Sequence, residues 1–196
     1  MADIIMEIGV YIFAILFLFL IFVFIAAVAS LFTRKKYEQY EQYVSVVIPC
    51  YNGEKTIARC LNSVLSLDYP PKKMEIIVVD DGSTDSTPKI LGFRKRYRNL
   101  VVVRGRHEGK SYCLNIGMRK SLYPIIFTVD ADTFVEKNSL KRLVMPFSDN
   151  RIGATNGSCI ADNTDSMISI FQRIEYHYNN LIRKSFSNLF NNGILF

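Results

Sequence analysis

Two aspartates separated by one residue, Asp130 and Asp132, follow an apolar, β-rich run and are the sharpest chemical signal in this chain. Carboxylate oxygens are the ligands that Mg²⁺ and Mn²⁺ prefer, and such ions typically take one or two carboxylates together with substrate phosphates. Residues two apart on a strand point the same way, so we expect both side chains to face one ligand. The pair predicts a Mg²⁺ or Mn²⁺ site; two solvated loop aspartates are the alternative.

A second polar segment, residues 80–83, follows another apolar run. The carboxylate of Asp81 can accept hydrogen bonds from a base or a ribose, and Gly82 allows a tight turn. Ser83 can cap the next helix, and helix capping alone is the alternative interpretation of this segment. Tyr51 follows an earlier apolar run and can stack on a nucleobase, with packing inside the fold as its alternative.

The segment of residues 105–111 resembles a phosphate-binding loop because it lies between a predicted strand and a predicted helix. That motif needs four residues between its glycines, whereas three separate Gly105 from Gly109. We therefore exclude an NTPase of that type, and the lack of a Gly-x-Gly-x-x-Gly motif leaves a dinucleotide fold unsupported. Lys110 stays a candidate partner for a diphosphate, and His107 is interpreted as an exposed loop residue.

Four apolar runs predict the strands that position these residues: 44–49, 75–79, 100–103 and 124–129. Helical stretches separate the runs, which indicates an α/β domain with a mostly parallel sheet covered by helices. Ligands of such sheets bind where the strands end, so we expect the candidate residues to meet along one rim.

The connecting elements are predicted from capping residues and periodicity. Asn52 is expected to cap a helix that continues to about Leu67, and residues 83–85 are expected to cap the next. Further helices are predicted over residues 111–120 and 138–147, and a fifth strand over residues 152–160. From Met167 onward apolar residues recur at helical spacing; such helices usually cover a core, and lying at a membrane surface is the alternative.

Residues 8–33 contain no charged residue and are followed by Arg34, Lys35 and Lys36. A bilayer span needs about 20 apolar residues, so this run predicts a single transmembrane helix. The basic flank places the N-terminus outside and the following domain in the cytoplasm. A cleaved signal peptide is the alternative, but Asp3 and Glu7 precede the run and a basic stop follows it.

Composition adds weaker constraints. The formal charge is +6 and all 24 Lys and Arg residues lie beyond residue 33, so the soluble part is basic. A nucleic-acid partner is not expected, because no stacking surface of aromatic and basic residues is evident. The four cysteines form no Cys-x-x-Cys pair, which argues against a zinc knuckle and favours small buried hydrophobes in a reducing compartment.

Taken together, four motifs make the chain resemble a family 2 glycosyltransferase with a Rossmann-like GT-A fold: residues 44–52 (VSVVIPCYN), 76–85 (IIVVDDGSTD), 109–117 (GKSYCLNIG) and 127–132 (FTVDAD). The N-terminal helix and residues 171–176 resemble the membrane-bound hyaluronan, chitin and poly-N-acetylglucosamine synthases. The residues themselves predict a tail at 1–7, a membrane helix at 8–33 and a linker at 34–43. The resemblance adds that 44–165 form a nucleotide-sugar-binding glycosyltransferase domain, and that the amphipathic helix and the start of a truncated acceptor half lie at 166–196.

The resemblance also implies roles for single residues. Tyr51 and Asp81 would contact the uracil of a UDP-sugar, and Lys110 and Asn115 would lie on the donor side. Asp130 and Asp132 would hold a Mg²⁺ or Mn²⁺ ion and the diphosphate. The enzyme would transfer the sugar, with inversion, to a saccharide or lipid-linked acceptor in polysaccharide or glycoconjugate synthesis.

The sequence departs from that family beyond the Asp-x-Asp motif. After Asp165 the only acidic residue is Glu175, the chain has no Trp for a Gln-x-x-Arg-Trp motif, and the general base is not found. Residues 191–196 resemble the start of the strand that precedes the base. We therefore expect the C-terminal part of the fold to be missing, and the alternative function is a catalytically inactive, membrane-anchored nucleotide-sugar-binding fragment or regulatory module.

Overall fold

The computed structural model describes residues 2–32, 37, 39–94, 97–160 and 166–190. Its helices and strands alternate along the chain: α1 Ala2–Phe32, β1 Val44–Cys50, α2 Ile57–Leu65, β2 Met74–Asp80, α3 Thr87–Arg94, β3 Leu100–Arg104, α4 Lys110–Lys120, β4 Ile125–Thr128, α5 Ser139–Val144 and α6 Met167–Phe190. Short 3-10 turns precede β2 and follow α5. The chain divides into two compact units, residues 37–153 and a unit formed by the two terminal segments with α1 and α6.

The sheet of the first unit is parallel, with strand order β3-β2-β1-β4. Every residue of β1 and β2 is buried, because these central strands are apolar on both faces and helices cover the sheet. The four predicted strands are confirmed, each within two residues at either end. The chain leaves β1 for β2 on one side and reaches β4 on the other, which makes the carboxyl end of β1 the topological switch point where such sheets bind ligands.

Helix α4 packs on the sheet through a glycine. Gly117 is buried, and a Cβ built on it would lie 2.2 Å from Cγ1 of Val47 in β1. That separation is far below van der Waals contact, so only glycine lets the helix approach the strand this closely. The backbone of α4, which begins at Lys110, is thereby fixed relative to β1.

The amino-terminal end of the sheet is closed by a buried polar network. Glu75 accepts hydrogen bonds from the hydroxyl of Ser45 and from the backbone N–H of Leu122, at 2.5 and 2.6 Å. The Ser45 hydroxyl in turn accepts the N–H of Tyr123. These bonds offset the cost of burying a carboxylate and join β1, β2 and the α4–β4 connection.

Two local predictions were wrong. Asn52 does not cap α2: it has a φ of 47° and lies before Gly53, and the helix begins at Ile57 after Thr56. The predicted helix to about Leu67 therefore starts five residues later than its capping signal. Residues 152–160, predicted as a fifth strand, form no strand in the described structure, and their side chains are mostly exposed.

The second unit consists of long helices. Helix α1 begins at Ala2, so residues 2–7 of the predicted tail are helical, and Ile4–Ala29 are long and apolar enough to cross a membrane, with a mean hydropathy of 3.3. Helix α6 is confirmed as a helix from Met167, and it packs against α1. Its apolar residues, such as Phe171 and Ile174, stay largely exposed rather than covering a core. The strand predicted to begin within residues 191–196 lies outside the described residues.

Candidate functional site

An open cleft of about 420 Å³ lies at the carboxyl end of the sheet in the first unit. This volume is within the range of pockets that bind small molecules. Its lining comes from the ends of β1, β2 and β4 and from the start of α4: Pro49, Cys50, Tyr51, Asn52, Gly53, Thr56, Asp81, Lys110, Cys113, Asp130, Ala131 and Asp132. The sheet thus brings together every predicted site residue except Asn115.

Asp130 and Asp132 reach the cleft through a turn, not through strand alternation. Strand β4 ends at Thr128, although Val129 still donates its N–H to the carbonyl of Val47 at 3.0 Å. A hydrogen bond of 2.9 Å from the N–H of Thr133 to the carbonyl of Asp130 then closes the turn. The expectation that both carboxylates line one site is met, but the reason given from strand geometry was wrong.

Lys110 is paired with the first of these aspartates. Its Nζ lies 2.6 Å from Oδ1 of Asp130, and both side chains are about half exposed, at 60% and 52%. Lys110 is the first residue of α4, directly after Gly109, whose φ of 95° favours glycine. The helix start therefore aims the ammonium group at the aspartate turn.

Asp81 is buried and organises the neighbouring loop. Its two carboxylate oxygens accept the backbone N–H groups of Glu108 and Gly109 at 3.0 and 2.8 Å. Burial alone would raise the pKa of Asp81, but these hydrogen bonds, with smaller contributions from Cys113 and His107, outweigh burial and lower the pKa below its ordinary value. Asp81 thus stays ionised and holds residues 105–109 beside the cleft.

The ring of Tyr51 contacts a second aromatic ring, that of His107, which the sequence did not predict. The ring of His107 stacks on the ring of Tyr51 with centroids 4.2 Å apart, and its Nδ1 lies 3.7 Å from Oδ2 of Asp81. His107 is exposed, as predicted, yet its ring contacts Tyr51, which lines the cleft. The φ of His107 is 60°, a conformation that Asn, Asp and His adopt more readily than other non-glycine residues. This preference is the one local feature of the sequence that could have drawn attention to His107.

The loops after β1 and β2 clasp each other through reciprocal hydrogen bonds. The N–H of Asn52 donates to the hydroxyl of Ser83, and the N–H of Thr84 donates to the side-chain oxygen of Asn52. The N–H of Glu54 donates to the carboxylate of Asp85. This clasp fixes Tyr51 and Asp81, one from each strand end, relative to each other.

Asn115 lies one turn further along α4 than Ser111, and its exposed side chain is not among those that line the cleft. Its position on the donor side therefore stays a prediction. The described residues contain no group of three or more His, Cys, Asp or Glu side chains that could enclose a metal ion. The exposed carboxylates of Asp130 and Asp132 instead fit a Mg²⁺ or Mn²⁺ ion that completes its shell with water and donor phosphates.

The buried thiols at the cleft are expected to be unreactive. Burial is the main cause that raises the pKa of Cys50, Cys60 and Cys113 to about 12, so about one thiol in ten thousand is ionised at pH 8. Titration of the native full chain with a disulfide reagent should show one fast equivalent, from exposed Cys159. Cys159→Ser should remove that phase and serves as its control; fast reaction of a second thiol would contradict this burial.

Known proteins with similar sequences identify the family to which this chain belongs. Residues 45–193 match the family described as Glycosyl transferase family 2, which is well over half of the chain, and the chain belongs to that family. It is 34% identical over 149 residues to a poly-beta-1,6-N-acetyl-D-glucosamine synthase of Staphylococcus epidermidis, and 32% identical over 135 residues to one of Staphylococcus aureus. These matches cover 75% and 68% of this chain but only 35% and 32% of the relatives, so the chain spans about a third of their length.

Solved structures give the same fold. A mannosyltransferase from Pyrobaculum calidifontis in complex with GDP-Man and Mn²⁺ is similar with a TM-score of 0.60 and 28% identity, over 68% of this chain and 41% of that chain. S. aureus TarS in complex with UDP-GlcNAc is similar with a TM-score of 0.52 and 26% identity, over 63% of this chain and 39% of that chain. The parallel-sheet, GT-A-like fold expected from the motifs is confirmed.

Proposed function

We propose that this chain binds a nucleotide-sugar, most simply a UDP-sugar, in the cleft and transfers the sugar with inversion to a saccharide or lipid-linked acceptor. One observation carries the proposal: the strand ends and the start of α4 bring together the residues of a single cleft, Tyr51, Asp81, Lys110, Asp130 and Asp132. An aromatic ring, a buried acid, an ammonium group and two exposed carboxylates are the partners that a base, a ribose and a metal-bound diphosphate require.

The choice of donor rests on the relatives. The two synthases are named for a polymer of N-acetylglucosamine, and the TarS complex contains UDP-GlcNAc. The mannosyltransferase complex contains GDP-Man, so the fold alone does not fix the base. A role in polysaccharide or glycoconjugate synthesis follows from the named product of the synthases.

Each residue of the cleft would contact a different part of the donor. Tyr51 offers a ring for the base, and Asp81 holds the loop that leads into α4 while keeping its remaining lone pairs for the base or ribose. Lys110 can bind a diphosphate oxygen, and Asp130 and Asp132 would hold Mg²⁺ or Mn²⁺. That ion would neutralise the negative charge that develops on the departing diphosphate.

We further propose that α1 anchors the chain in the cell membrane as a single-pass helix. Ile4–Ala29 are almost entirely exposed and apolar, which suits contact with lipid rather than water. Arg34, Lys35 and Lys36 follow the helix in the sequence, so the N-terminus would lie outside and the α/β unit in the cytoplasm.

A second candidate function is donor binding without transfer, as a regulatory module. It is favoured by the acids of the cleft: the carboxylates among its lining residues are Asp81, Asp130 and Asp132, all of which already have a donor-side role. A general base for the acceptor hydroxyl is not among the lining residues that the structure describes. Release of free sugar from UDP-GlcNAc by the purified chain would count against this candidate and for an enzyme.

The main proposal predicts that donor binding depends on a divalent ion. Isothermal titration of the full chain in detergent should give tight UDP binding with Mn²⁺ and weak binding with EDTA. Asp132→Ala should weaken UDP binding with Mn²⁺ by about 10- to 100-fold, because a metal ligand is lost and even the outer-shell partners of a metal are worth that much. The matched control is Asp68→Ala, which removes an exposed aspartate that pairs with Lys141 and does not line the cleft. Equal UDP affinity with Mn²⁺ and with EDTA would refute the metal assignment.

A further inference from the structure

The ion pair between Lys110 and Asp130 places a cation where the proposed donor site would hold a metal ion. The ammonium group contacts Oδ1 of Asp130 at 2.6 Å, and this is an oxygen that a divalent ion would use. A carboxylate oxygen cannot serve an ammonium and a dication equally at hydrogen-bond range, because the two cations repel each other. The two functions of Asp130 are therefore mutually exclusive at this oxygen.

We propose that Lys110 is a latch that occupies the place of the metal on Asp130. It neutralises Asp130 when no ligand is bound, and it is displaced to the donor diphosphate when the ion arrives with the nucleotide. This inference rests on the proposed donor site and adds an order of events to it. The expected consequence is that the metal alone binds poorly, whereas the metal and the nucleotide support each other's binding.

Three features of the pair suit such an exchange. Both side chains are about half exposed, and ion pairs of this kind are weak enough to be replaced by a better partner. Lys110 has a flexible four-carbon stem at the first position of α4, so its ammonium group can swing without moving the helix. The backbone around it is fixed by the hydrogen bond from the N–H of Gly109 to Asp81, which keeps the swing local.

Through electrostatics alone, the latch would make the binding of the metal ion and the binding of the nucleotide depend on each other. With Lys110 on Oδ1 of Asp130, the aspartate pair offers an incoming ion the full charge of Asp132 but a carboxylate of Asp130 that the ammonium group already neutralises. A diphosphate draws Lys110 away and also brings oxygen ligands of its own, so each ligand improves the site for the other. A site without the latch would bind the metal by itself more tightly and the nucleotide less tightly.

The test measures these two affinities separately on the full chain in detergent. Mn²⁺ alone, without nucleotide, is titrated by the loss of the free-ion signal in electron paramagnetic resonance. Lys110→Met should bind Mn²⁺ about three- to tenfold more tightly than the unaltered chain, since a competing cation is gone. UDP binding in the presence of saturating Mn²⁺ should weaken about tenfold, since a charged hydrogen bond to the diphosphate is lost.

The chain offers a matched control and a rescue variant. Lys141 pairs with Asp68 at 2.8 Å at a site that does not line the cleft, so Lys141→Met removes the same charge and should change neither affinity. Lys110→Arg keeps the cation and should leave the Mn²⁺ affinity near that of the unaltered chain. If Lys110 had a purely structural role, Lys110→Met would change the affinities for Mn²⁺ and for UDP in the same direction. Tighter Mn²⁺ binding together with weaker UDP binding would exclude that role.

Two results would overturn the latch. One is an Mn²⁺ affinity of Lys110→Met that is no higher than that of the unaltered chain, including undetectable binding in both. The other is an equal gain in Lys141→Met, which would show an effect of net charge alone. Failure of the proposed function looks different: the unaltered chain would then not bind UDP at all, or, if only the metal assignment fails, would bind UDP equally with Mn²⁺ and with EDTA.

Discussion

Replacing Gly117 with alanine is expected to lower the free energy of unfolding by about 3 kcal/mol, at the upper end of the usual cost of overpacking. The new Cβ would lie 2.2 Å from Cγ1 of Val47, which is fully buried in the central strand and cannot turn away without disturbing the sheet. The gain in helix propensity, about 1 kcal/mol, is too small to compensate. Denaturant unfolding of the full chain in detergent, followed by far-UV circular dichroism, measures the change.

The matched control is Gly92→Ala in α3. A Cβ at Gly92 meets no atom within 4 Å, so the same substitution should be neutral or stabilise the chain by up to about 1 kcal/mol. Val47→Ala provides a second check, because it removes the atoms that clash. In that background Gly117→Ala should cost much less than it does alone, and an unchanged cost would mean that the contact with Val47 is not its cause.

Replacing Asp81 with alanine is the second large change. It should lower the free energy of unfolding by about 3 kcal/mol, because the N–H groups of Glu108 and Gly109 each lose a partly buried hydrogen bond to a charged acceptor. It should also weaken UDP binding, since these N–H groups hold the loop that leads to Lys110. Asp81→Asn keeps one carbonyl acceptor and should show an intermediate loss in both measurements.

The pH dependence separates this carboxylate from a general loss of packing. Hydrogen bonds lower the pKa of Asp81 in the folded chain below its ordinary value of 3.8, so its contribution is fully present above that pH. The contribution is lost as the pH falls through the lowered folded value. The stability difference between the unaltered chain and Asp81→Asn should therefore shrink in acid; a difference that stays constant down to pH 2 would assign the loss to shape rather than to charge.

The strands and the cleft could be predicted because local pattern and global topology agree in this chain. Strands β1 and β2 are apolar on both faces, which is typical of central strands in a parallel sheet. Once the sheet is parallel, its carboxyl ends share one edge, and the polar residues that follow each strand must meet there. Tyr51, Asp81 and Asp132 do lie along the cleft at this edge, whereas their roles toward a donor stay predictions.

The errors arose where contacts between distant residues decide the conformation. Asn52 is a good capping residue by type, yet its side chain bonds Thr84 on another loop and its backbone is left-handed. Residues 152–160 have strand-like composition, but a strand needs a paired neighbour, and composition does not supply one. The contacts of Lys110 with Asp130 and of His107 with Tyr51 likewise join segments that are distant in sequence, so no local pattern predicts them.

The strand order has a consequence for how the chain is made. Strand β1 pairs with β2 soon after both leave the ribosome, but its other edge pairs with β4, which is synthesised about 80 residues later. Until then the most buried strand of the finished sheet is an open edge, and the aspartate turn arrives last, together with the strand that covers it. Nascent chains are therefore most exposed to aggregation during the interval in which only the part of the cleft around Tyr51 and Asp81 has formed.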